Sequence, residues 1–215
     1  MRATLSIAAL AAFIAGSTAV VLPERASCDS KHQIQCTGEV IVGSLQVRNP
    51  DNSLHVAGFS TDTVIDPAPF LTTKYNGVPT PSSRQFAFQV CNNILNPADS
   101  TLKTKTGFLL PNGHRDKAVT VRNATTTVGH PAQALVSLPK QDSCFTDATE
   151  QQWWRLYPNG SLAFTAATPT GGYGVITNGN SDKSNIFVSV EYTDAHGFSL
   201  QGLTRPFGYS LELHA

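Results

Sequence analysis

Both tryptophans of the chain stand side by side in QQWWRLYPNGSLAF, residues 151–164. Side chains alternate between the two faces of a β-strand, so Trp153, Arg155 and Tyr157 share one face and Trp154 and Leu156 the other. An aromatic, cationic, aromatic stripe with about 7 Å between neighbours has the dimensions to stack a sugar ring. Two acids, Asp147 and Glu150, precede it and are candidate acceptors for ligand hydroxyls. The competing reading of Trp153 is that a loop or the N-terminal arm covers it, since large aromatics are mostly buried.

The turn Tyr157-Pro158-Asn159-Gly160-Ser161 sets the register. A two-residue Asn-Gly hairpin would pair Pro158 with Ser161 and gather Trp153, Arg155, Tyr157, Leu162 and Phe164 on one face. A type I turn with Pro158 at its second position and Gly160 in a left-handed bulge pairs Tyr157 with Ser161 instead. One residue of slip exchanges the faces. The fixed φ of Pro158 suits the bulged turn, which places Trp154, Leu156, Leu162 and Phe164 together. Trp154 is then core, its burial contributing roughly 2 to 3 kcal/mol, and Gln152 points the same way and needs a backbone partner.

Other chemistry is sparse. The sequence has no HExxH, no GxSxG, no phosphate-binding glycine loop and no CxxC, and its six histidines are scattered. A carboxylate pair for glycoside hydrolysis would emerge only in three dimensions. The expectation is a protein without catalytic activity, metal or cofactor. Two sequons, Asn123-Ala-Thr and Asn159-Gly-Ser, are candidate glycan sites on surface turns. Cys28, Cys36, Cys91 and Cys144 form an even set. Two disulfides are expected, and of the three connectivities Cys28 with Cys36 and Cys91 with Cys144 is favoured by the closeness of the first two in an N-terminal arm.

The elements around these residues follow from composition and pattern. Residues 1–19 of MRATLSIAALAAFIAGSTAVV have the basic start, apolar run and small-residue cleavage site of a secretory signal peptide, which implies a secreted, extracellular protein. Fifteen basic residues balance fifteen acidic ones, which argues against nucleic acid as a partner. The apolar run of the leader is short for a span and none follows it, so no membrane insertion is expected. Twelve short runs rich in Val, Ile, Phe, Thr and Tyr read as strands: EVIVGSLQV, SLHVAGF, QFAFQVC, GFLLP, KAVTVRN, ALVSLP, QWWRLY, SLAFTA, YGVIT, IFVSVEY, FSLQGL and YSLELHA. The pattern is all-β, a sandwich or a barrel-like fold.

A similar opening recurs at Gly43-Ser-Leu, Gly107-Phe-Leu and Gly160-Ser-Leu, at spacings of roughly 50 to 65 residues, with about four strand candidates in each interval. Three sets of four strands are the arithmetic of a β-trefoil. The second interval orders a strand, a Thr-Val pair, a glycine loop, an apolar strand, a cysteine and then Gln152-x-Trp154 before the Asn159-Gly160 turn. This order resembles a repeat of the ricin B-type lectins, with Gln152 and Trp154 at the structural QxW positions. The phenylalanine-rich FAFQVCNN is similar to a segment of ricin-B-like small secreted proteins of fungi. The resemblance implies an N-terminal arm over 20–38 and one β-trefoil domain over 39–215, with pseudo-repeats at about 39–105, 106–158 and 159–215.

The same resemblance implies carbohydrate binding. Sugar-binding repeats of this family place an Asp beside the strand that here reads Ala118-Val119-Thr120-Val121, but Thr120 stands at that position, and the other two intervals offer no carboxylate there. The candidate binding residues are therefore Trp153, Arg155, Tyr157, Thr120 and Asp147, with a glycan as the partner. An alternative from another class is a trefoil that binds protein, such as a protease inhibitor presenting the loop IDPAPFLTTKYNGVPTPSSR, residues 65–84, preorganised by four prolines, and a third is a structural or interaction protein of the extracellular space without an assigned activity.

Overall fold

The computed structural model describes residues 28–60, 69–111, 113–124, 133–165, 172–179, 181–193 and 208–215. Its strands are β1 (Gln35–Arg48), β2 (Leu54–Val56), β3 (Gly58–Phe59), β4 (Leu71–Tyr75), β5 (Val78–Pro79), β6 (Gln85–Asn92), β7 (Lys105–Pro111), β8 (Lys117–Val121) and β9 (Gln133–Pro139). A one-turn helix α1 (Asp147–Glu150) precedes β10 (Trp153–Leu156), β11 (Ser161–Phe164), β12 (Gly172–Gly179), β13 (Ile186–Thr193) and β14 (Ser210–His214). The all-β expectation holds. The leader and FSLQGL lie outside the described residues.

The strands form two curled layers. One runs β14-β11-β10-β7-β6-β1-β2, and β14 also pairs β1, so the path of antiparallel pairings returns to its start. The other runs β3-β4-β13-β9-β8, with β12 on β13 and β5 on β4. Between them lies a core containing Leu45, Phe88, Leu109, Trp154, Val188 and Leu211. β7 is buried on both faces: Leu109 joins this core, while Phe108 and Leu110 join a second cluster with Trp153, Phe145 and Cys91. That double burial is why the GFLLP part of β7 reads as a continuous apolar run without alternation.

The turn after β10 has the bulged form. Tyr157 N–H donates to Ser161 O (2.9 Å) and Gly160 N–H to Tyr157 O (2.9 Å), with Gly160 at φ +86°. Trp154 opposes Phe164 and Leu156 opposes Leu162 in the β10–β11 register. Trp154, Leu156, Leu162 and Phe164 accordingly lie in the core between the layers.

Three expectations are corrected. The disulfides are Cys28–Cys144 and Cys36–Cys91: Cys36 stands opposite Cys91 in the β1–β6 register, so pairing across a strand prevails over closeness in sequence. The arm expected over 20–38 ends sooner, because Gln35 already enters β1. Residues 69–84 of the supposed long loop hold the hairpin β4–β5, closed by Asn76 (φ 49°) and Gly77 (φ 77°), the left-handed pair that a two-residue hairpin turn requires. Pro79 is tolerated there because β5 is an edge strand of two residues.

Candidate functional site

The stripe on the outer face of β10 is divided among three environments. Trp153 is fully buried. Phe108 and Phe145 meet it edge-on, with ring centroids 5.1 and 5.2 Å away, and its indole N–H donates to Asn96 O (3.3 Å). The cover is built from three segments: the arm, the β6–β7 connection and the stretch before α1. Phe145 N–H donates to His32 O (2.7 Å), Asn93 Nδ2 donates to Lys31 O and Gln33 O, and the Cys28–Cys144 disulfide pins the arm to this stretch. Trp153 is therefore the covered residue, and a sugar platform on it is excluded. Arg155 is half-buried and donates from a terminal guanidinium nitrogen to Pro97 O (3.2 Å). Tyr157 faces a separate cleft.

The QxW residues work as ties between strands. Gln152 Nε2 donates to Thr120 Oγ1 (3.1 Å) and Pro139 O (2.9 Å), while its Oε1 accepts the Gln141 N–H (2.9 Å). Trp154 Nε1 donates to Val119 O (3.0 Å). Thr120 is itself buried and donates to Ala118 O (3.1 Å), which removes it from the candidate ligand positions.

Asp147 is exposed and faces a cleft of its own. The segment DATE turns once, with Glu150 N–H donating to Thr146 O (2.8 Å), and buried Thr149 donates its hydroxyl to Gln141 O and Cys144 O. Asp147 and Glu150, three apart on one turn, share a face and line a cleft of about 640 Å³ whose other walls are His32, Leu95, Asn96 and Phe145. Burial pushes the Glu150 carboxyl above its ordinary value, and the charge of Asp147 adds to the effect. His32 Nδ1 lies 2.7 Å from Asp29 Oδ1, and this hydrogen bond holds the Asp29 carboxyl below its usual range. The cleft thus joins two carboxylate acceptors to an apolar wall, an arrangement that can accept hydrogen bonds from a hydroxyl-rich ligand with a hydrophobic face.

A loop or the N-terminal arm was expected over Trp153, but His32, Leu95 and Asn96 were not expected to line this cleft. The signal that would have found them was the cysteine pairing: Cys28 joined to Cys144 draws His32 against Phe145. A second cleft, of about 410 Å³, lies at the β10–β11 turn and is lined by Tyr157, Pro158 and Asn159, with Ile41, Lys103 and His214 across from them. Asn159 is exposed, as is Asn123, which sits at φ +56°; Thr125 of the latter sequon lies outside the described residues.

Among the described residues no group of three or more His, Cys, Asp or Glu is arranged to hold a metal, and no helix is long and apolar enough to cross a membrane. Comparison with known proteins finds no matching family model, no matching curated protein and no matching solved structure.

Proposed function

We propose that the chain is a secreted, non-catalytic β-trefoil that binds carbohydrate in the cleft between α1 and the β6–β7 connection. Each sequence interval contributes two strands to the ring of pairings, β1 with β6, β7 with β10 and β11 with β14, and a hairpin to the second layer, β3–β4, β8–β9 and β12–β13. That allocation supports the trefoil reading. The three glycines that open the intervals support it too: a Cβ at Gly43, Gly107 or Gly160 would collide with the backbone carbonyl of His214, Gln89 or Leu213 in a neighbouring strand. Two disulfides fit an oxidising, extracellular setting.

The observation that carries the binding reading is the placement of Asp147 and Glu150 beside Leu95 and Phe145 in one cleft. Carboxylates accept hydrogen bonds from ring hydroxyls, and the apolar wall takes the C–H face of the sugar. A hydrogen bond to a charged group contributes about 1.5 to 3 kcal/mol, so Asp147→Asn with Glu150→Gln is expected to weaken glycan binding at least tenfold. Screening the purified chain on a glycan array, followed by calorimetric titration of the hits, tests this. No binding by the wild-type chain at millimolar glycan, or equal binding by the double variant, refutes it.

A second reading has one observation in its favour: the adjacent Ile94 and Leu95 are 69% and 52% exposed, and a protein partner would cover them. Ile94→Ser separates the two, since Ile94 is not among the residues lining the cleft: it weakens protein capture while leaving the apolar wall and the carboxylate contacts to sugar in place.

A further inference from the structure

Tyr157, absorbed neither by the core nor by the α1 cleft, shares the smaller cleft with Asn159, the acceptor position of a glycosylation sequon. The two belong to a five-residue bulged turn in which Tyr157 is first, Asn159 third and Ser161 fifth. The Tyr157 N–H···Ser161 O bond closes the turn, and Gly160 at φ +86° supplies the bulge. Asn159 Oδ1 accepts the Ser161 N–H (3.1 Å), which fixes the carboxamide so that its oxygen faces the turn. Its Nδ2 has no partner among the described residues, and Asn159 is exposed while Tyr157 is half-buried beside it.

We propose that Asn159 carries an N-linked glycan whose first N-acetylglucosamine stacks on the Tyr157 ring, so that the smaller cleft is the seat of the chain's own sugar. The proposal rests on the reading that the chain is exported. The donor is a lipid-pyrophosphate-linked oligosaccharide with N-acetylglucosamine at its reducing end, supplied by the secretory machinery. Asn159 Nδ2 attacks C1 of that sugar, the N–C1 bond forms, the C1–O bond to the pyrophosphate breaks, the lipid pyrophosphate leaves and the amide nitrogen gives up one proton. No redox change is involved. Asn159 and Tyr157 lie two residues apart and line the same cleft, so the first sugar is delivered to the aromatic face without rearrangement of the turn.

The test uses the full chain secreted from a glycosylating eukaryotic host behind the host's own leader. Four forms are compared: wild type, Ser161→Ala, Tyr157→Thr and the double variant. Ser161→Ala blocks transfer and leaves Asn159 and the backbone hydrogen bonds in place. Glycopeptide mapping is expected to find Asn159 occupied in the wild type and bare in Ser161→Ala. The glycan is expected to raise the folding equilibrium constant by roughly 2- to 10-fold more when Tyr157 is present than when it is Thr, the scale of one ring-stacking contact, and trimming the glycan to its first sugar should preserve this coupling. A bare Asn159 in the secreted wild type overturns the site. An equal glycan effect in both backgrounds, or loss of the coupling on trimming, overturns the stacking. A parallel expression with residues 1–19 as the only leader tests the export reading separately: retention of an unglycosylated full-length chain inside the cell overturns that reading, whereas export with Asn159 bare overturns the site itself.

Discussion

Replacing Trp153 with Ala distinguishes a covered aromatic from a ligand platform by stability alone. Trp153 is fully buried, packs in T-shaped contact with two phenylalanine rings and donates one hydrogen bond to Asn96 O. Truncating such a ring removes its transfer free energy and leaves a cavity walled by Phe108, Leu110, Ala118 and Phe145, at a cost of about 3 to 5 kcal/mol. In a domain of this size each kcal/mol moves the midpoint by about 2 to 4 °C, so the melting temperature should fall by roughly 6 to 20 °C. Urea unfolding followed by the fluorescence of the remaining Trp154, together with scanning calorimetry, measures the loss. Trp153→Phe should recover much of it, retaining the edge contacts while leaving Asn96 O unpaired. A loss under 1 kcal/mol for Trp153→Ala would refute the covered placement, because an exposed side chain is expected to cost no more than a few tenths.

Two further perturbations follow from the strand ties. Burial alone would raise the Glu212 carboxyl, but hydrogen bonds from Arg48, Ser210 and His214 bring it down to about 2. A folded value below the unfolded one means stability that is fully present above about pH 4.5 and is lost as pH falls toward 2, amounting to about 3 kcal/mol. Glu212→Gln should flatten that acid limb in urea titrations across pH 2 to 5, and an unchanged slope would show that the Arg48 pair contributes nothing. Cys28→Ser with Cys144→Ser opens a link between residues 116 apart and should cost about 2 to 5 kcal/mol. It should also release the arm, raising quenching of Trp153 by iodide; protection equal to that of the wild type would show that the hydrogen bonds of His32 and Asn93 hold the cover unaided.

What was legible in the sequence depended on how far apart the deciding residues lie. Pro158 and Gly160 adjoin the strands they register, so the inward turn of Trp154 with Leu156, Leu162 and Phe164 follows from local backbone chemistry. The bond from Gln152 to backbone followed from the same turn. Asn76-Gly77 carries an equally local hairpin signal inside the stretch read as a long loop, and edge strand β5 accommodates Pro79 where a central strand would not. Trp153 and the cysteines were decided at long range. Cys28 and Cys144 are 116 residues apart, and Arg48 and Glu212 are 164 apart. No spacing rule connects such pairs; only closure of the β1–β14 pairing and docking of the arm bring them together.

The cover over Trp153 also explains why the proposed ligand cleft lies where it does. Phe145 has one face of its surroundings against Trp153 and contributes to the cleft wall on the other side. His32 enters because its carbonyl accepts the Phe145 N–H, and Asn96 enters because its carbonyl accepts the Trp153 indole N–H. The contacts that close the outer face of β10 are thus the contacts that assemble the cleft beside Asp147 and Glu150. Tyr157, three residues beyond Trp154 and past the end of that cover, is left to the turn and to the glycan proposed on Asn159. On this reading the stripe that alternation marks as one surface has two separate uses: its tryptophan supports a site for foreign sugar from beneath, and its tyrosine receives the chain's own.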